Sequence, residues 1–202
     1  MNRGRILESW RKKRSAGMPL RGGVDGPDFL VTSSAGVAGL MPLADANARS
    51  IQKTREQAAV AGGAPVVAGV CATDPLRMME TFLQEIKAAG AVGVQNSPSV
   101  GLIDGTFRRT LEDSRLGYGR EVEMIGLAGK LDLVTVALAF SPEEARKMAE
   151  AGADAIVAHP GVAERKAKAI AEIAAAAREA RKGILVLAYG AEADGVDGIQ
   201  IE

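Results

Sequence analysis

The chain has 202 residues, and its 25 lysines and arginines balance 25 aspartates and glutamates, so the formal net charge is zero and a dedicated nucleic-acid or polyanion binder is not expected. Hydrophobic residues make up 47% and charged residues 25%, which excludes the disordered class, while 3% aromatics against 24 glycines require a core of small aliphatic side chains. One cysteine and one histidine argue against an internal disulfide or a Cys/His zinc site, and no apolar run approaches the ~20 residues of a membrane span.

At about 150 residues per domain, a single domain over 1–202 is expected. Residues 1–20 read as a short N-terminal helix carrying Ile6, Leu7 and Trp10, with no apolar stretch of the signal-peptide kind after its basic residues; a cytoplasmic location is inferred. The run Arg11-Lys12-Lys13-Arg14 reads as the solvated C-terminal end of that helix rather than as a nucleic-acid patch. Phe29-Leu30-Val31 is a strand, followed by a helix from Ala46 to Ala61 with Asp45 as N-cap. Residues 65–70 form a buried strand running into Cys71-Ala72-Thr73-Asp74-Pro75. The next helix, ending near Ala89, places Met78, Met79, Phe82, Leu83 and Ile86 on one side.

A short strand over 92–95 precedes a polar, glycine-rich loop from Asn96 to Gly105. Helices are expected over 107–111 and 121–131, and a strand over 133–137. Ser141-Pro142-Glu143-Glu144 is a helix start with a capping box. A strand over 155–158 leads to His159, an Ala-rich helix runs from Ala163 to Arg181, and strands over 184–188 and 199–201 close the chain. Strands alternating with helices imply βαβ units and a parallel sheet. Neither a G-x-G-x-x-G fingerprint nor a P-loop is present. The expected architecture is therefore α/β, a (β/α) barrel of the TIM type with mostly parallel strands, whose chemistry gathers after the strand C-termini.

Polar residues do fall there: Cys71, Thr73 and Asp74 after the 65–70 strand, Asn96 and then Asp104 and Arg108 after 92–95, His159 after 155–158, and Tyr189 after 184–188. Each has two readings. Asp74 before Pro75 is a helix N-cap or a ligand to substrate or metal. Cys71 is a small buried hydrophobe or a nucleophile, and His159 a general acid/base or a hydrogen-bonded structural side chain. Asn96 stabilises a turn, or Gln95-Asn96 at the strand end binds a carboxylate or phosphate oxygen. Glu121 and Glu123 are two apart on a helix, so only one faces a site.

Five ordered segments carry a family resemblance: 43–48 (LADANA), 68–75 (AGVCATDP), 93–108 (GVQNSPSVGLIDGTFR), 117–125 (GYGREVEMI) and 151–159 (AGADAIVAH). In these the chain resembles the phosphoenolpyruvate hydrolase-like TIM-barrel family. The resemblance implies a hydrolase or lyase acting on a small carboxylate or keto acid, phosphorylated or enolic. It implies His159, Asp74 and Glu121 as catalytic residues and Asn96, Cys71, Thr73, Asp104, Arg108 and Tyr118 around the substrate. Related barrels imply Mg²⁺, with Asp74 and Asp45 as its carboxylates.

The departures point to a barrel shortened or incomplete at both ends. Too few residues separate Gly22 from Phe29 for a first strand and helix, Pro160 follows His159 directly, and residues 192–198 leave no room for a crossover helix of ~10–12 residues. Bare strand edges would follow, and with them a homo-oligomer or a local hairpin of the last two strands. The alternative to an enzyme is a catalytically degenerate barrel serving as a binding or assembly subunit.

Overall fold

Eight strands close on themselves in chain order: β1 (Leu20–Gly23), β2 (Phe29–Thr32), β3 (Val66–Gly69), β4 (Gly93–Gln95), β5 (Val134–Ala139), β6 (Ala155–Ala158), β7 (Leu185–Tyr189) and β8 (Gly198–Ile201). Every neighbouring pair is parallel, including β8 with β1. This computed structural model describes residues 2–32, 45–161, 166–190 and 193–201. The start of the last helix at Ala163, Leu43 and Ala44 of the first family segment, and Ala191 and Glu192 of the final link lie outside those residues. The helices are α1 (Arg3–Ser15), α2 (Ala46–Val60), α3 (Met79–Ala88), α4 (Gly105–Asp113), α5 (Tyr118–Lys130), α6 (Pro142–Glu150) and α7 (Lys166–Ala180). Among the described residues, no helix is long and apolar enough to cross a membrane.

Alternation along the strands sorts the core into two layers. On β5, Val134, Val136 and Leu138 join Val31, Val67, Val157 and Leu187 inside the barrel. Leu133, Ala137 and Ala139 join the shell beneath the helices, with Met124, Met148 and Ile173. Alanines on that outer face let helices approach closely, which is how a chain poor in aromatics fills its core. The expected caps form: Asp45 Oδ1 accepts from Ala48 N at 2.8 Å, and Ser141 Oγ accepts from Glu144 N at 3.2 Å. Glu144 reaches back to Phe140 N (2.9 Å), one residue beyond the usual capping box.

The first helix closes the bottom of the barrel. Ile6, Leu7 and Trp10 are buried in the interior cluster, and the Trp10 ring lies 5.0 Å from that of Phe29. Its basic residues tie it to the N-terminal ends of the strands. Arg3 bonds Asp154 through Nε (3.0 Å) and Nη2 (2.9 Å) just before β6, Lys13 pairs with Asp28 just before β2, and Arg14 Nη1 donates to Gly183 O at 2.9 Å. Lys13 and Arg14, read as a solvated helix end, are structural clamps.

The barrel is complete, which corrects the expectation of bare edges. Residues 20–23 form the missing first strand, on a sequence whose two glycines hide it. Those glycines answer a close approach: a Cβ on Gly23 would lie 1.8 Å from Ile201 O, and one on Gly22 would lie 1.9 Å from Phe29 Cζ. The last two strands do not form a hairpin. They pair in parallel, with Leu187 opposite Gly198. Asp197 makes this short return workable: its Oδ2 accepts from Val186 N (2.8 Å) and its carbonyl from Leu20 N (2.9 Å), while Ala193 and Val196 pack on the outer shell where a helix would lie. Closure removes the unpaired edges from which self-association was argued. Two further expectations fail near α3. The helix begins at Met79 rather than after Asp74, and Met78 is 80% exposed instead of packed.

Candidate functional site

The C-terminal mouth of the barrel holds a narrow cleft, floored by Gln95 and Gln200 and walled by Ser97, Phe140, His159 and Tyr189. Its free volume is about 30 Å³, room for one or two waters. The two glutamines meet across the barrel: Gln95 Nε2 donates to Gln200 Oε1 at 2.8 Å, and Gln200 Nε2 donates back to Gln95 Oε1 at 3.1 Å. His159 directly follows β6, which aims its side chain inward. Its ring lies 4.7 Å from that of Phe140 and 4.1 Å from that of Tyr189. Gly161 N donates to His159 Nδ1 at 3.0 Å, so the neutral imidazole carries its proton on Nε2.

Other expected site residues cluster behind this cleft. Glu121 is fully buried. Its Oε2 accepts from Asn96 Nδ2 (2.5 Å) and Ser99 Oγ (2.7 Å), and its Oε1 from Val100 N (2.8 Å). Burial raises its carboxyl, the three donors pull it down, and the balance leaves it at about 7. Asn96 is equally buried and uses its amide as a peptide would, donating to Leu138 O (3.1 Å) and accepting from Leu138 N (2.7 Å). It extends the β4–β5 pairing past the last strand residue. The Tyr118 hydroxyl donates to the same Leu138 O at 2.5 Å, and burial, with Glu121 and Glu144 nearby, holds its phenol well above the usual range.

Arg108 is committed as well. It reaches Glu112 (2.6 Å), Val100 O (3.0 Å) and Glu144 (2.9 Å), and its guanidinium lies over the Tyr118 ring. Asp104 starts α4, is exposed and makes no side-chain cap. Glu121, Asn96, Tyr118 and Arg108 therefore build the wall behind the cleft instead of touching a ligand in it, because each polar atom is already paired with a neighbouring loop or helix.

The residues after β3 form a third group. Asn47, buried on α2, accepts from Cys71 N (2.9 Å) and donates to Cys71 O (3.0 Å) and Asp74 Oδ2 (2.9 Å). Cys71 Sγ contacts Thr73 Oγ1 at 3.7 Å, and burial pushes the thiol up, so it is a neutral thiol rather than an activated nucleophile. Asp74 closes a turn by accepting from Leu76 N (2.9 Å) instead of capping α3. Arg77 bridges Asp74 and Asp45, with both contacts at 2.5 Å. Burial works against the charge on Asp74, but Leu76 N, Asn47 and Arg77 outweigh it and hold the carboxylate below its ordinary range. The pair expected to hold Mg²⁺ does not fit one, since the Arg77 guanidinium already sits between the two carboxylates and occupies an oxygen of each. Among the described residues, no three His, Cys, Asp or Glu side chains converge as a metal site.

The sequence pattern of the family described as phosphoenolpyruvate hydrolase-like matches residues 25–201. The chain belongs to that family. Tomato (Solanum lycopersicum) ToMV resistance protein Tm-1(GCR237) and ToMV susceptible protein tm-1(GCR26) are each 51% identical over 134 residues, 66% of this chain. The match spans only 18% of the length of those tomato proteins. The uncharacterized protein y4oT of Sinorhizobium fredii is 34% identical over 119 residues, covering 59% of this chain and 60% of its own. Among solved structures, tryptophan synthase subunit alpha of Legionella pneumophila aligns with a TM-score of 0.59 at 12% identity, covering all of this chain and 86% of that one. A variant of the citrate synthase SbnG gives 0.54 at 14% identity, over 94% and 88% of the two chains. At such identities the likeness establishes the barrel fold alone.

In this member of the phosphoenolpyruvate hydrolase-like family, the expected catalytic and binding residues divide among three neighbourhoods; of them His159 lines the cleft, with Tyr189 from the end of β7 beside it. Ser97, from the polar loop after β4, lines it too, as do Gln200 and Phe140, which carry no signal in sequence: Gln200 sits inside a closing strand, and Phe140 reads as core. Gln95, read with Asn96 as a strand-end pair able to bind anionic oxygens, does line the cleft.

Proposed function

We propose that the cleft at the barrel mouth takes a small carboxylate or keto acid of the pyruvate or phosphoenolpyruvate kind, and that His159 serves it as an acid. The observation that carries this reading is the fixed tautomer of His159 beside the glutamine pair. With Nδ1 occupied by Gly161 N–H, the neutral ring offers Nε2–H to an oxygen on which charge develops, as in enolate formation. The Gln95 and Gln200 amides and the Ser97 hydroxyl supply neutral polar groups next to that position. Hydrolase or lyase chemistry is the reaction class we assign to it, and no step is assigned to a metal, because Asp74 and Asp45 are engaged by Arg77. The second reading, a catalytically degenerate barrel that binds without turnover, is favoured by the small free volume.

A thermal-shift series with pyruvate, phosphoenolpyruvate, oxalate and inorganic phosphate, with and without Mg²⁺, tests the site. A ligand that binds only the folded chain at ~100 times its Kd adds about 2.7 kcal/mol of stability. Pyruvate or oxalate should raise the melting temperature without Mg²⁺, and His159→Gln should abolish turnover while leaving the melting temperature of the free protein within a few degrees. Binding without turnover selects the degenerate reading, and no shift with any of the four compounds removes the site.

A further inference from the structure

Resting on that reading of the cleft, we infer that Glu121 is a positioning residue whose carboxylate latches the loop after β4 into the shape that lines the site. Ser97, Ser99 and Leu102 of this loop border the cleft, and Glu121 does not. All three donors to Glu121 belong to the loop, among them Ser99 Oγ at 2.7 Å and Val100 N at 2.8 Å. The third, Asn96 Nδ2, anchors the loop's first residue to β5. Ser99 Oγ in turn accepts from Gly101 N at 3.0 Å, which sets the following 3₁₀ turn, Val100–Leu102.

An ionised carboxylate satisfies all three donors. A protonated one has a hydrogen of its own, which either meets Asn96 N–H donor against donor or turns the Ser99 hydroxyl from donor to acceptor, so the three-donor arrangement is lost. Among the described residues, no cation bonds Glu121. The groups that face it are the Asn96 amide and Ser99 hydroxyl, Glu144 from α6, Cys71 after β3 and Tyr118 on its own helix; Arg108 of α4 is bonded to Glu144 instead. The latch is therefore tied by donors alone, and its balance near neutral pH makes it sensitive to proton concentration.

The test follows the Val100 and Gly101 amide resonances of the ¹⁵N-labelled chain between pH 5 and 9, alongside the Kd for pyruvate. In the wild type both amides should titrate with a midpoint near 7, and pyruvate should bind more tightly on the alkaline side. Glu121→Gln should abolish the amide titration and weaken pyruvate about tenfold, the loss of one charge-assisted hydrogen bond. Ser99→Ala leaves Glu121 in place but removes one donor, so the midpoint should move to higher pH and pyruvate should bind several-fold more weakly. Amides that stay flat in the wild type, or that still titrate in Glu121→Gln, overturn the latch. An unmoved midpoint in Ser99→Ala does the same if Glu121→Gln fails to fold. If pyruvate does not bind the wild type at all, the reading of the cleft falls, and the amide titration still decides the latch.

Discussion

Truncating Trp10 to alanine probes whether the N-terminal helix is a plug or an appendage. Trp10 is 2% exposed and sits among Phe29, Val31 and the inner residues of β5–β7 at the bottom of the barrel. Its removal forfeits the transfer energy of the indole, the ring contact with Phe29 and the packing around the void, together about 3–5 kcal/mol. Little collapse is available, because the cavity would be walled by strands locked in a closed ladder. Against a total stability of about 5–15 kcal/mol, that is a large fraction. At about 2–4 °C per kcal/mol for a chain of this size, the melting temperature should fall by about 6–20 °C. Urea unfolding should show a lower midpoint at an unchanged slope, since the same surface is exposed on unfolding. A loss under about 1 kcal/mol would mean that the helix only lies against the barrel, and the assignment of the plug would be wrong.

Glu121 gives the chain an unusual dependence of stability on pH. Its folded value of about 7 stands above the ordinary 4.5, so the folded state holds a proton that the unfolded state releases. The contribution is complete below 4.5 and lost as pH rises through 7, about 3 kcal/mol at ~1.4 per unit for this fully buried group. Urea titrations at pH 5 and 8 should show that decline in the wild type and a flat response in Glu121→Gln; parallel behaviour of the two would refute it. Arg77→Met should cost about 1 kcal/mol at neutral pH, since Asp45 is half exposed and water screens that arm of the clamp. Asp74 is held below its ordinary range, so its contribution is present above that range and lost as pH falls; Arg77→Met should therefore move the acid-unfolding midpoint to higher pH, and an unmoved midpoint would deny the clamp.

The local layer of this protein was legible in the sequence, because it rests on short-range rules. Asp45 and Ser141 announce helices by capping, short apolar runs mark β5 and β7, and the order of strands and helices gives the parallel barrel. Polar residues at strand C-termini marked the functional end, and His159 among them lines the cleft. What the sequence could not decide is which side chains face one another across long separations. The first strand, Leu20–Gly23, has no strand-like pattern of its own; it exists because β2 and β8 flank it and glycine lets Phe29 and Ile201 approach. Asp74, Asn96 and Arg108 look like ligand-binding groups in isolation, yet Arg77, Leu138 and Glu144 meet them first. A polar side chain's role depends on what reaches it before a ligand does, and closing the barrel brings residues as distant as Gln95 and Gln200 into contact while taking Asn96, one position later, out of reach.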